Sequence, residues 1–93
     1  MYSLTQKARP HPQVVSTELD EKEMVLLHME TQIYFSLNVT GLRIWAGVQQ
    51  GLTFGEISQQ LCEEFHVNSE QATTSVLNLI NELRVQDLIQ IEG

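Results

Sequence analysis

Apolar and polar positions along the 93-residue chain follow two rhythms. In the first, Ile33, Phe35 and Leu37 alternate with Gln32, Tyr34 and Ser36, the period of two that marks a strand with one buried face. Val14–Glu18 reads as an earlier strand, and Met24–Met29 lies between the two. The run Met24, Val25, Leu26, Leu27 is apolar without a break, which suits a strand buried on both faces. The links Leu19–Glu23 and Glu30–Gln32 are short enough for hairpins. The pattern therefore predicts a three-stranded antiparallel sheet with Met24–Met29 in the middle and Ile33–Leu37 at an edge. That edge strand has no Lys, Pro, Gly or charged residue, so nothing guards it against pairing with another chain. It is an edge to which an extended peptide can add.

From Val39 onward the spacing becomes helical. Asn38 is the N-cap of a first helix that runs to about Gln50 and is stopped by Gly51. Thr53-Phe-Gly-Glu56 is a capping box, with Leu52 and Ile57 at the spacing of a hydrophobic staple. The second helix carries Phe54, Ile57, Leu61 and Phe65 as one stripe, and Asn68 with Gln71 opens a third. Leu88, Ile89 and Ile91 close the chain as a short extended segment. The expected fold is α+β and winged-helix-like, a three-stranded antiparallel sheet followed by three helices over residues 13–92. Residues 1–12, with Pro10 and Pro12 and little apolar content after Leu4, read as a flexible N-terminal arm.

On the third helix, at about 100° per residue, Ala72, Val76, Leu79 and Leu83 fall within about 60° of one another and are expected to face the core. Thr73, Leu77, Ile80 and Arg84 form a second row on one flank. Leu77 lies well off the core centre, so it is either one wall of a groove beside the bare edge strand or a half-exposed Leu on a wide stripe. In the groove reading, Leu77 and Ile80 supply the apolar wall. Arg84 then meets a carboxylate or carbonyl of the bound chain, unless it pairs with Glu82 or Asp87 on its own helix. The alternation in the strands allows the helices on either face of the sheet. Trp45 reads as a core residue near Leu42 and Val48.

Charge removes several function classes. Twelve acidic against five basic residues give a net charge of −7, which argues against nucleic acid or anionic membrane as the partner. The third helix offers Arg84 against Glu70, Glu82 and Asp87, the wrong balance for a helix that reads DNA. No apolar run approaches the roughly 20 residues that span a bilayer. Met1–Leu4 lacks a signal-peptide core, and the single Cys62 fits a reducing compartment, so the cytoplasm is expected. His11, His28 and His66 are far apart in sequence and show no metal-ligand spacing with Cys62; His28 reads as a structural histidine. The acidic runs Glu63-Glu64 and Glu18, Asp20, Glu21, Glu23 read as solvated charge. No nucleophile, phosphate-loop or dinucleotide motif is present, so neither catalysis nor a metal or other cofactor is expected.

The run Tyr34-Phe-Ser-Leu37-Asn38-x-Thr40-Gly41-x-x-Ile44-Trp45, followed by Gly51-Leu-Thr53-Phe-x-Glu56-Ile57, Leu79-Ile-Asn-Glu-Leu83 and Leu88-Ile89, resembles the PqqD family. The likeness extends to the wider precursor-peptide recognition elements of ribosomally synthesised, post-translationally modified peptides, and covers the chain from about Val14 to Ile91. The Leu-Asn-x-Thr-Gly-x-x-Ile-Trp run is more similar to the stand-alone leader-binding subunit of lasso-peptide leader peptidases than to PqqD proper. The resemblance implies a non-catalytic clamp. A leader peptide adds as a strand to Ile33, Tyr34, Phe35, Ser36 and Leu37 and packs against the third helix, where Thr73, Leu77, Ile80 and Arg84 are the expected contacts. The implied partners are a precursor leader peptide and a separate maturation enzyme, a leader peptidase. The alternatives are a PqqD-type peptide chaperone for a radical S-adenosylmethionine enzyme and a winged-helix DNA-binding regulator.

Overall fold

The computed structural model describes residues 2–92. Its elements are β1 (Lys7–Pro10), β2 (Val14–Glu18), β3 (Met24–His28), β4 (Tyr34–Leu37), α1 (Val39–Gln49), α2 (Phe54–Phe65), α3 (Ser69–Val85) and β5 (Ile89–Glu92). Strands β2, β3 and β4 form an antiparallel sheet in that order, followed by the three helices, the α+β arrangement read from the sequence. Register places Leu26 between Ser16 and Phe35, and Leu27 between Val15 and Tyr34. One face of the sheet, through Met24, Leu26, His28 and Leu37, enters a core built with Ile44, Trp45, Phe54, Ile57, Val76 and Leu83.

Two expectations are corrected here. The N-terminal segment is not a loose arm from Lys7 onward, because β1 pairs antiparallel with β5 from Lys7↔Glu92 to Pro10↔Ile89. Its reach is backbone-driven: among β1 side chains only Ala8 is buried, so apolar content gave no warning. Pro10 sits at the strand end, where a missing N–H is tolerated. Ahead of it, the Leu4 and Gln6 carbonyls accept hydrogen bonds from the Gly55 and Phe54 N–H groups (2.8 and 3.0 Å), satisfying donors that the start of α2 leaves free. The second correction concerns β3. Its burial alternates, with Val25 and Leu27 only half-buried, so the unbroken apolar run is covered by this chain on one face rather than two.

The helix signals work as their chemistry dictates. Asn38 Oδ1 accepts from Gly41 N–H at 2.9 Å, and Asn68 Oδ1 from Gln71 N–H at 2.8 Å. The Thr53 box closes in both directions, Thr53 Oγ1 accepting from Glu56 N–H and Glu56 Oε1 from Thr53 N–H. Those two Thr53 bonds, backbone first, hold the Glu56 carboxyl below its usual value, with a smaller pull from Lys7. Gly51, at φ 77°, ends α1 where an L side chain would be strained.

Gly47 sets the approach of α1 to α2: a Cβ there would lie 2.7 Å from Ile57 Cγ1, in a site only 1% exposed. Overpacking of this kind costs about 1–3 kcal/mol. Gly→Ala would recover up to about 1 kcal/mol of helix propensity, but a β-branched residue recovers less. Gly47→Val is therefore expected to lower stability by about 2 kcal/mol, seen as a fall in Tm of roughly 10 °C for a chain of this size.

Candidate functional site

The exposed edge of β4 is defined by which of its backbone groups the sheet already uses. His28 N–H donates to the Ile33 carbonyl at 3.0 Å, which starts the β3–β4 ladder. Along an antiparallel pair, bonded and non-bonded positions alternate. Phe35 and Leu37, opposite Leu26 and Met24, therefore turn their N–H and C=O inward to β3. Tyr34 and Ser36 turn theirs out of the sheet. Two donors and two acceptors lie open along one short strand.

Beside this edge runs a groove of about 770 Å³. Phe35, Ser36 and Leu37 line its strand side. Its floor is the start of α1, with Thr40, Gly41 and Ile44, because Asn38 caps that helix immediately after β4. Close packing is possible there because residue 41 is glycine: a Cβ would stand 3.1 Å from Leu37 Cδ2. The far wall is α3, through Ser75, Asn78, Leu79 and Glu82. A smaller hollow of about 330 Å³ shares Thr40 and Ser75 with the groove and extends it over the apolar Leu61, Phe65, Val67 and Ala72. The groove carries two carboxylates, Glu23 and Glu82, and its lining includes no basic residue. Hydroxyls, an amide and apolar surface beside an open strand edge are suited to holding an extended chain.

Of the residues expected at the site, the strand half and the helix half fare differently. Phe35, Ser36 and Leu37 line the groove, Tyr34 is 70% exposed with its side chain on the opposite face, and Ile33 precedes the strand as a ladder acceptor. On α3 the flank is reversed. Ile80 is fully buried in the core, and the half-buried Leu77 packs against that core. Thr73, Leu77 and Arg84 lie roughly half a turn around the helix from Ser75, Asn78, Leu79 and Glu82. Arg84 lines a shallow surface beside β5 with Asp87 and Gln90, away from the groove. Leu79, expected in the core, is instead the half-buried apolar residue of the groove wall. Periodicity locates a stripe but not the neighbour on each flank, so the row named from the sequence is not the row that lines this groove. A usable signal did exist for α1, since a helix capped directly after the edge strand must begin beside it.

The histidines are also placed differently from the reading by spacing. His11 and His28 stack with ring centroids 4.5 Å apart, and their Nε2 atoms lie 3.8 and 3.6 Å from Asp87 Oδ2. His11 Nδ1 accepts from Gln13 N–H, and His28 Nδ1 from Glu30 and Thr31 N–H. With Nδ1 accepting, a neutral ring carries its proton on Nε2, on the side of the carboxylate, although the buried His28 Nε2 makes no hydrogen bond. That polarity suits a tie between the strands and the end of α3, and it opposes a cation bound among the three residues.

Comparison with known proteins identifies relatives of the same fold. The family model for Coenzyme PQQ synthesis protein D (PqqD) matches residues 23–89. Among solved structures, TbiB1 in complex with the TbiA(beta) leader peptide is similar to this chain with a TM-score of 0.82 and 30% identity, over 88% of this chain and 94% of that one. Lasso peptide synthetase B1 complexed with the leader peptide shares the fold, with a TM-score of 0.82 at 24% identity over 90% and 98% of the two chains. No curated protein matches. On the family match across most of its length, and on the likeness to TbiB1, this chain belongs to the PqqD family.

Proposed function

We propose that this protein recognises the leader region of a ribosomally made precursor peptide by strand addition to β4. It then presents that peptide, in the cytoplasm, to a separate maturation enzyme and catalyses no step itself. The observation that carries this reading is the pair of residues whose backbone groups face out of the sheet, Tyr34 and Ser36, beside a groove walled by α3. TbiB1, at 30% identity, is in complex with a leader peptide. The resemblance of the Leu37–Trp45 run to the leader-binding subunit of lasso-peptide leader peptidases favours a leader peptidase over a radical S-adenosylmethionine enzyme as the partner.

The energetics divide the labour between backbone and side chains. Four ladder hydrogen bonds contribute about 0.5–1.5 kcal/mol each and are blind to sequence. Alternate side chains of an added strand point inward, where Leu79, Ile44 and Phe35 offer apolar contact. Each well-seated anchor contributes about 1–2 kcal/mol or more, so specificity resides in the inward positions. With Glu23 and Glu82 at the rim, a basic or neutral leader segment is favoured over an acidic one.

Amide hydrogen exchange with a panel of precursor leader peptides, the TbiA(beta) leader peptide among them, tests the reading. The Tyr34 and Ser36 amides are expected to change from fast to protected on binding, while Phe35 and Leu37 are protected in both states. Leader binding without protection at Tyr34 and Ser36 rejects strand addition.

A further inference from the structure

We propose that the outer face of the β2–β3–β4 sheet is the docking surface for the maturation enzyme, whose matching surface is an apolar patch ringed by Lys and Arg. The inference rests on the proposed role as a presenter of leader peptides. It starts from the part of the sequence pattern that the fold leaves unused. Met24, Val25, Leu26 and Leu27 form an apolar run suited to burial on both faces, yet the helices cover only the face holding Met24 and Leu26. Val25 and Leu27 point the other way. Register sets Leu27 between Val15 and Tyr34, which are 49% and 70% exposed, and Met29, 53% exposed, continues the same face.

An antiparallel sheet with a solvated face normally shows polar residues there. Here the face holds Val15, Val25, Leu27, Met29 and Tyr34, with Thr17 and Ser36 as its polar members. A contiguous apolar surface with an aromatic and a methionine has the composition of an interface centre. Its surroundings are mainly acidic: Glu18, Asp20, Glu21 and Glu23 stand at one end and Glu30 at the other, against Lys22 in the same run. Arg43 lines a hollow with Glu18, Asp20 and Glu21 but is paired with Glu64 at 2.8 Å. A second copy of this chain would bring the same negative rim and a net charge of −7 against it, so the complementary occupant is a protein with a basic rim.

Position selects the maturation enzyme as that protein. A strand added to β4 widens this face by one strand, and its outward side chains stand next to Tyr34 and Ser36. An enzyme seated here lies alongside the captured peptide, whereas the groove face is closed by α3.

Val15→Glu and Met29→Glu test the proposal, since both positions are about half exposed on the outer face. Val15 lies on β2, across β3 from β4, and Met29 continues the ladder to β2 through its N–H bond to the Gln13 carbonyl. The probes are a purified lasso-precursor leader peptidase that binds the wild-type protein and the precursor it cleaves, with circular dichroism as a folding control. Leader affinity is expected to stay at the wild-type value. Binding of the peptidase, and the cleavage this protein stimulates, are expected to fall about tenfold or more, the effect of losing an interface anchor. Wild-type binding of the peptidase should also weaken as salt is raised. Unchanged peptidase binding in both folded variants overturns the proposal. So does a variant that only converts a dimer to a monomer in sedimentation, which would assign the face to a second copy. Failure of the wild-type protein to bind the leader at all is a different result and would remove the proposed function instead.

Discussion

Tyr34→Pro is expected to abolish leader binding while leaving the fold in place, and Phe35→Pro to disrupt the sheet itself. Proline removes a backbone N–H and puts a ring carbon where the donor stood. At Tyr34 that N–H points out of the sheet, so no internal bond is lost, and edge strands accept proline at such positions. An incoming strand, however, loses a ladder bond and meets the ring. We expect at least a hundredfold loss in affinity, about 2.7 kcal/mol, in titration calorimetry. At Phe35 the N–H serves the ladder to Leu26 at the centre of the domain's main sheet, so loss of stability precedes any effect on binding. Normal leader affinity in a folded Tyr34→Pro protein would sink the strand-addition model.

The second large effect separates two adjacent residues of α3. Ile80→Ala removes a fully buried side chain and is expected to cost about 2–5 kcal/mol of stability, a large part of what a small domain has. Leu79→Ala trims the groove wall and is expected to weaken leader affinity about tenfold with little change in Tm. Leu77→Ala supplies the control: it lies on the opposite flank and leaves affinity unaltered. Equal losses of affinity for Leu77→Ala and Leu79→Ala would mean that the bound chain does not follow the groove beside β4.

Much of the architecture was legible because it is local. Capping at Asn38, Thr53 and Asn68 depends on a side chain reaching a backbone N–H three residues away, and all three caps form. The alternation of Phe35 and Leu37 with Tyr34 and Ser36 follows from the pleat, and the edge position of β4 follows from two short hairpins. The edge position of β4 and the alternation of its side chains were therefore readable residue by residue. The pairing of β1 with β5 was not, because it joins residues about 80 positions apart through backbone groups that every sequence possesses.

What the sequence determined by itself is the set of elements from β2 onward, their order, the bare edge and the acidic balance, since each follows from contacts within a few residues or from composition. Tertiary structure alone decided which flank of α3 faces that edge, setting Leu79 and Glu82 in the groove and sending Leu77 and Arg84 to the other side. It also decided that His11 and His28 meet at Asp87, and that Val25 and Leu27 remain half-open on the outer face. The physical reason is common to all three. An amphipathic stripe states how much of an element is buried, but the neighbour on each side depends on the path of the whole chain, and no local spacing encodes that path.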